Sequence, residues 1–294
     1  MITVFTPAYN RAYRLPTLYE SLKRQSCMEF EWIIVDDGSR DNTKELVSGW
    51  QAENNPFEIR YFWKENGGKH TAINLGVEKA QTEWFFIVDS DDYVTDDAVQ
   101  KIHKWIETVE DPNYAAVSGT RCFPNGSIIG QCEISDNSFI DATNIERAKY
   151  KLLGDKAEVY KTDVLKKYPF PVFLGERFLT ECAVWNHIAI DGYKVRWFKD
   201  SIIVCEYLAD GLTAQINTTD IEVANFEGCT YTTKIGLRAY TGVERIRLIC
   251  QYINKARKKG LTYHEISNKI NRNIIEILIL SIPVYMKNRM KGRT

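Results

Sequence analysis

Three carboxylates stand within four residues at Asp89-Ser90-Asp91-Asp92, directly after the apolar run Phe85-Phe86-Ile87-Val88. Acids packed this closely repel one another unless a positive charge sits among them. Oxygen ligands suit a hard divalent cation, so the cluster predicts a magnesium or manganese site. The competing use for acids at such a place is to cap the next helix. Thr95, Asp96 and Asp97 already stand at that helix start, which leaves the three earlier carboxylates unexplained by capping.

Four apolar residues in a row read as the inner part of a buried parallel strand, and in open α/β sheets ligands bind beyond the carboxyl ends of such strands. The preceding chain repeats the arrangement. Residues 2–5 predict a strand that ends in a Thr6-Pro7-Ala8-Tyr9-Asn10 loop. Residues 32–35 predict a second, followed by Asp36-Asp37-Gly38-Ser39. Residues 59–63 predict a third, leading into Glu65-Asn66-Gly67-Gly68-Lys69-His70. Between them Leu15, Leu18, Tyr19 and Leu22, then Leu46, Val47 and Trp50, and after the third strand Ala72, Ile73 and Leu75, recur at helical spacing. This alternation predicts an α/β fold with a doubly wound, mostly parallel sheet and right-handed crossovers. The loops then share one edge, where a nucleotide-binding cleft would form.

Beyond residue 98 the pattern gives a helix over 99–109, a strand over 115–118 and a hairpin around Asn125-Gly126. It continues with a helix over 141–153, a strand over 154–160 and a short helix at 162–167. Pro169, Pro171 and Gly175 mark an irregular loop, and Glu181 opens a helix ended by Gly192. Strands are expected at 195–198 and 202–207, with helices from about 225. The 294 residues are 44% hydrophobic and 26% charged, which excludes a disordered chain. Seven cysteines without paired spacing read as reduced thiols of a cytoplasmic protein.

These motifs, taken together, resemble glycosyltransferase family 2 enzymes of the A-type glycosyltransferase fold. The resemblance rests on Thr-Pro-Ala-Tyr-Asn-Arg from Thr6, Ile-Val-Asp-Asp-Gly-Ser around Asp37, Asn-Gly-Gly-Lys-His from Asn66, and Asp89-Ser90-Asp91-Asp92. It covers about the first 100 residues and, more weakly, the chain to about 210. It implies a nucleotide-binding half at 1–100, an acceptor half at 101–224 and a helical extension at 225–294. It also implies a nucleotide-diphosphate sugar donor, UDP-linked by preference, and an inverting, metal-dependent transfer. Thr6, Pro7 and Tyr9 would line the nucleoside pocket, and Asp37 would bond the base. Lys69 and His70 would lie beside the nucleotide. Asp89 and Asp91 would form the metal-binding pair with Mn2+ or Mg2+, Asp91 directly, and Asp92 would extend the motif. The family's base is commonly the Asp of a Glu-Asp pair at a helix start. Here the segment reads Thr180-Glu181-Cys182, so the base is assigned to Glu181, with Asp155 and Glu158 as alternates.

Two other classes compete. A nucleotide-sugar-binding module without catalysis fits the cysteine at 182. A haloacid-dehalogenase-type phosphatase also places an Asp-x-Asp after a strand, but on its first strand rather than the fourth. The acceptor is expected to be a glycan or a lipid-linked glycan of surface polysaccharide synthesis, and an oligomer is compatible with the sequence. Residues 231–294 hold 14 Lys/Arg and 3 acids, a net of +11, so the remainder carries −12. The apolar run at 274–284 followed by Lys287, Arg289, Lys291 and Arg293 predicts peripheral attachment of 270–294 to an anionic membrane surface, on its inner face. A core helix covering the catalytic domain, or an oligomer contact, is the equal alternative. The basic cluster at 255–259 has no recognition fold around it, so nucleic acid is not an expected partner.

Overall fold

The computed structural model describes residues 1–206 and 218–291, with the backbone alone for residues 218 and 283–291. Nine strands form one sheet: β1 Ile2–Ala8, β2 Phe30–Asp36, β3 Glu58–Trp63, β4 Trp84–Ile87, β5 Asp92–Val94, β6 Tyr114–Cys122, β7 Phe139–Ala142, β8 Lys156–Lys161 and β9 Lys194–Cys205. The order is β3-β2-β1-β4-β8-β6-β9-β5, with β7 also on β9. Strands β1 to β4 run parallel, and β8 enters antiparallel beside β4 (Phe85 opposite Tyr160), joining both halves of the chain in one sheet.

Alternation along the strands divides the core in two. Val4, Trp32, Ile34 and Phe86 face helices α1 Leu15–Lys23, α2 Thr43–Gln51 and α4 Ala98–Ile106. Phe5, Ile33, Val35 and Phe85 face α3 Lys69–Lys79, α5 Thr162–Lys167 and α6 Cys182–Ile190. The doubly wound expectation holds, because period-two strands with both faces apolar need helices on both sides. Close packing of α3 depends on Gly76: a Cβ there would sit 2.2 Å from the Phe5 ring.

The strand ends are in register where the loops must meet. Ala8 lies opposite Asp36, and Phe5 opposite Ile87. β1 runs on through Pro7 to Ala8, where a loop was expected. The Phe5 carbonyl accepts the Val88 N–H at 2.9 Å, and Pro7, two residues on, points the same way, past the last paired residue of β4. Its missing N–H therefore costs no ladder bond.

The second half departs further from expectation. Residues 139–142 form β7, and 144–148 a single 3-10 turn, where a helix was expected. The two expected last strands are one, β9, whose register against β6 shifts between Ser118 and Thr120. Residue 207, at its expected end, lies outside the described residues. The Asn125-Gly126 turn forms, but its return arm makes only a Cys122–Ile128 bridge. Beyond the sheet come helices α7 Thr218–Ala224, α8 Phe226–Ala239, α9 Gly242–Lys258, α10 Tyr263–Ile270 and α11 Ile274–Lys291. They share their own core around Phe226, Ile249, Tyr252, Ile253, Ile266 and Ile277. All seven cysteines are free thiols.

Candidate active site

Two acidic loops meet at the carboxyl edge of the sheet. The loop after β2 is tied by buried carboxylates to backbone. Asp36 accepts the Ser39 N–H at 2.7 Å and the Tyr61 hydroxyl at 2.6 Å. Asp37 Oδ1 accepts from Lys64 Nζ at 2.6 Å and the Gly67 N–H at 2.9 Å, and its Oδ2 accepts the Gly68 N–H at 2.7 Å. The β1 loop is stitched to the same place. Asn10, at φ 53°, gives its N–H to Ser39 Oγ (2.8 Å) and accepts the Arg40 N–H (2.8 Å). Tyr9 stands beside this stitch with its side chain exposed.

Carboxylates of the loop after β4 face side-chain cations instead. Asp89 Oδ1 lies 2.5 Å from Lys69 Nζ, and its Oδ2 lies 3.5 Å from Arg121 Nη1. Lys69 also reaches Glu181 Oε1 at 2.7 Å, so one ammonium bridges a candidate metal ligand and the candidate base. Asp92, on β5, pairs with Arg121 at 2.9 Å, while Asp91 meets Arg11 only loosely, at 3.9 Å. The positive charge demanded by the acidic run is thus supplied in part by the chain itself. Burial disfavours the Lys69 charge, but Asp89 and Glu181 outweigh it and hold the pKa above its ordinary value. Burial likewise opposes the Asp89 charge, yet Lys69 and Arg121 bring its pKa down to about 2. Asp92 goes the other way. Burial, which Arg121 only partly offsets, together with repulsion from Asp89 and Asp91, pushes it up to about 7.

Position follows from backbone. Gly68, at φ +93°, turns the chain into α3 and sets Lys69 at its first residue. The Arg177 carbonyl packs on Gly68, where a Cβ would lie 1.9 Å away. That contact brings the loop before α6 over the start of α3, and α6 begins directly after Glu181. Arg121 closes β6 and donates through Nε to the Lys156 carbonyl at 2.9 Å. Neither Arg121 nor Arg11 was singled out from sequence. The available signal was Arg121 itself, a lone cation closing an apolar strand, which requires a carboxylate partner.

The structure brings Lys69, Asp89, Asp91, Asp92 and Glu181 together, with Asp37 and Tyr9 on the adjoining loops. Three residues expected at the pocket have buried side chains. Thr6 is fully buried, and its hydroxyl accepts the Trp32 indole N–H at 3.0 Å. Its side chain belongs to the core because even-numbered β1 residues face α1 and α2. Pro7 is buried within β1. His70 is 2% exposed, turned inward on the second residue of α3, and burial lowers its pKa. Of the alternate bases, Asp155 is exposed and makes no contact with this group, whereas Glu158 is half-buried on β8 and raised by burial near Arg147, Arg121 and Glu181. Trp185 is core, stacked on Tyr160 with centroids 4.2 Å apart.

For a divalent cation the donor set fits in one mode. Asp91 presents a partly exposed carboxylate with no close partner, and Asp89 is adjacent but shared with Lys69 and Arg121. One or two carboxylates completed by substrate phosphates is the usual magnesium arrangement.

A mixed α/β sheet with its acidic loops at the carboxyl edge is the architecture of nucleotide-sugar transferases of the A-type fold. The family model "Glycosyl transferase family 2" matches residues 3–162, just over half of the chain, which belongs to that family. The match contains both acidic loops and ends before Glu181. Among curated proteins, the glycosyltransferase GlyG of Streptococcus pneumoniae serotype 4 is 33% identical over 108 residues, 36% of this chain. The match spans 35% of that relative's length. Among solved structures, S. aureus TarS 1–349 in complex with UDP-GlcNAc superposes with a TM-score of 0.60 at 16% identity, covering 98% of this chain and 92% of that one. The mannosyltransferase PcManGT from Pyrobaculum calidifontis, in complex with GDP-Man and Mn2+, gives 0.56 at 17% identity, covering 99% and 79%. These likenesses establish the A-type fold.

Proposed function

We propose that the protein is an inverting, metal-dependent glycosyltransferase that moves a sugar from a UDP-linked donor to a glycan or lipid-linked acceptor. The observation that carries this reading is the Asp89–Lys69–Glu181 bridge, which sets a candidate base one ammonium away from the acidic motif. Asp37 Oδ2 accepts a single N–H, so it retains an acceptor position for the imide N–H of uracil. Tyr9 lies where the nucleoside would enter. Asp91, assisted by Asp89, would hold Mn2+ or Mg2+, which when bound supplies positive charge against the departing diphosphate. Lys69 and Arg11 add positive charge beside the same phosphates. Glu181 takes the proton of the acceptor hydroxyl. For that it must be released from Lys69, and the donor's phosphates offer the ammonium an alternative partner.

The thiol at position 182 leaves Glu181 as the carboxylate at the start of α6, and its place beside Lys69 favours catalysis over binding alone. UDP release from a panel of UDP-sugars with manganese, with and without added glycan, tests this. Turnover is expected. Saturable binding with no release from any donor would leave a binding module. The panel also reads as thermal shift, since a ligand at 100 times its Kd stabilises by about 2.7 kcal/mol.

The acceptor side is proposed to work at an anionic membrane surface. On α11, Ile275, Leu278, Ile279 and Ile282 are exposed at helical spacing, opposite the buried Ile277. No helix among the described residues is long and apolar enough to cross a membrane. An apolar stripe in a region of net +11 supports peripheral attachment. The side chains of Lys287, Arg289, Lys291 and Arg293 lie outside the described residues.

A further inference from the structure

The first turn of α8 and the loop that leads to Glu181 exchange caps. Asn225 occupies the N-cap of α8 but makes no side-chain bond to its own helix. Its Oδ1 instead accepts the N–H groups of Arg177 (2.8 Å) and Phe178 (3.1 Å). In return, Glu176 supplies what Asn225 withholds. Its Oε1 accepts the Glu227 N–H at 2.7 Å, and its Oε2 accepts the Gly228 N–H at 2.8 Å. Those are the second and third helical residues, the donors an N-cap side chain normally satisfies. A carboxylate there also meets the positive end of the helix dipole.

The exchange fixes residues 176–178 on both sides. On one side the Arg177 carbonyl packs on Gly68 of the donor loop. On the other, Gly228 lets α8 approach so closely that a Cβ would lie 3.2 Å from the Phe178 carbonyl and the Leu179 side chain. Leu179 is buried in the core shared with α3 and α6. Only Thr180 then separates this strut from Glu181, whose carboxylate meets Lys69. Farther along α6, Asn186 Nδ2 donates to the Tyr240 hydroxyl at 3.4 Å, a second tie to the C-terminal helices.

We infer that Asn225 and Glu176 are positioning residues for transfer, through which the C-terminal helices set the carboxylate of Glu181 against the donor loop. The C-terminal helices are then part of the catalytic architecture rather than an appendage. This rests on Glu181 being the base. A displacement of about 1 Å at a reacting group is enough to cost up to about 100-fold in rate.

The test uses the full chain and four variants: Asn225→Ala, Asn225→Asp, Glu181→Gln and the Asn225→Ala/Glu181→Gln pair. The probes are UDP-glucose, UDP-galactose and UDP-N-acetylglucosamine with manganese, read as UDP release, and UDP affinity by calorimetry. Asn225→Ala is expected to lower kcat at least tenfold with UDP affinity within twofold of wild type. Asn225→Asp, which keeps the acceptor oxygen and gives up the Nδ2 bond to the Ile221 carbonyl (2.9 Å), restores kcat to within about threefold. Hydrogen exchange of the Arg177 and Phe178 amides should rise in Asn225→Ala and not in Asn225→Asp. Because Asn225 acts through Glu181, its loss should add nothing in the Glu181→Gln background. Slow Glu181→Gln with wild-type kcat in Asn225→Ala overturns the positioning role alone. So does a fully additive double variant, or a kcat loss matched by an equal loss of UDP affinity. Wild-type turnover in Glu181→Gln instead overturns the base assignment, and the positioning inference with it.

Discussion

The loops after β2 and β4 look alike in sequence and are built differently. Each follows an apolar parallel strand and opens with paired acids. In the first, Asp36 and Asp37 bond backbone N–H groups, a tyrosine hydroxyl and Lys64, all within residues 39–68. In the second, Asp89 and Asp91 meet Lys69, Arg121 and Arg11, charged side chains reaching in from other elements. A carboxylate bonded to N–H groups builds the loop around it, and removing it strands donors that cannot leave. A carboxylate facing ammonium and guanidinium groups keeps its place for an incoming charge, because a long side chain can exchange partners. The difference separates architecture from chemistry, and it can be broken by mutation.

The largest expected effect falls on chemistry alone. Glu181→Gln should lower turnover about 10²–10⁴-fold, the usual share of a general base, with UDP affinity and melting temperature close to wild type. Full activity would remove Glu181 from the reaction, and Glu158, also facing this group, would be tested next.

On the architectural side, Asp37→Ala strands Lys64 and the N–H groups of Gly67 and Gly68. A loss of about 3 kcal/mol or more is expected in urea unfolding. A fold as stable as wild type would show that this loop does not depend on its carboxylate. Gly68→Ala asks the same of the turn, at φ +93° and with the Arg177 carbonyl in the way. It should cost about 2 kcal/mol or more, because both strain and overlap act.

Asp92 sits between the two classes, and pH separates them. A carboxyl whose pKa rises on folding takes up a proton as the chain folds. Its contribution to stability is therefore fully present below its unfolded value of 3.8 and lost as the pH rises through about 7. Asp89 has the opposite sign: its contribution is present above 3.8 and lost as the pH falls toward 2. Asp92→Asn should thus flatten the stability profile between about pH 4 and 7 and leave the acid limb unchanged. A profile that keeps its slope there would place Asp92 among the ordinarily ionised acids. The smallest effect concerns α11. Vesicles with anionic lipid should sediment the protein at low salt and release part of it at high salt. Indifference to such vesicles would leave the exposed isoleucines for another partner.

How much of this was legible in sequence depended on local pattern. The first four strands and three helices were readable because strand and helix periods alternate cleanly, and the acidic loops were readable because their residues are contiguous. Beyond residue 98 the signal thinned. Residues 139–142 pair with partners on β9 53 to 59 residues away, which no local period announces. The bulged β9 read as two strands because its register shift falls between two apolar runs. At the site, Lys69, Asp89, Asp91 and Glu181 were legible as candidates from type and motif, and the structure draws Lys69, Asp89 and Glu181 into contact. The inward turn of Thr6 and His70 was not legible, since a motif does not say which face of the strand or helix a side chain takes. Arg121 escaped because its partners are 29 and 32 residues away and only the sheet order unites them.

The central claim is that Asp91 is held free for a ligand's charge. Calorimetric titration of UDP into wild type and Asp91→Asn, each with and without manganese, tests it most directly. Manganese should tighten UDP binding in wild type, and this gain should be lost in Asp91→Asn, with the metal-free affinity of the two proteins alike. Equal metal dependence in both proteins would contradict it and remove Asp91 from the metal site.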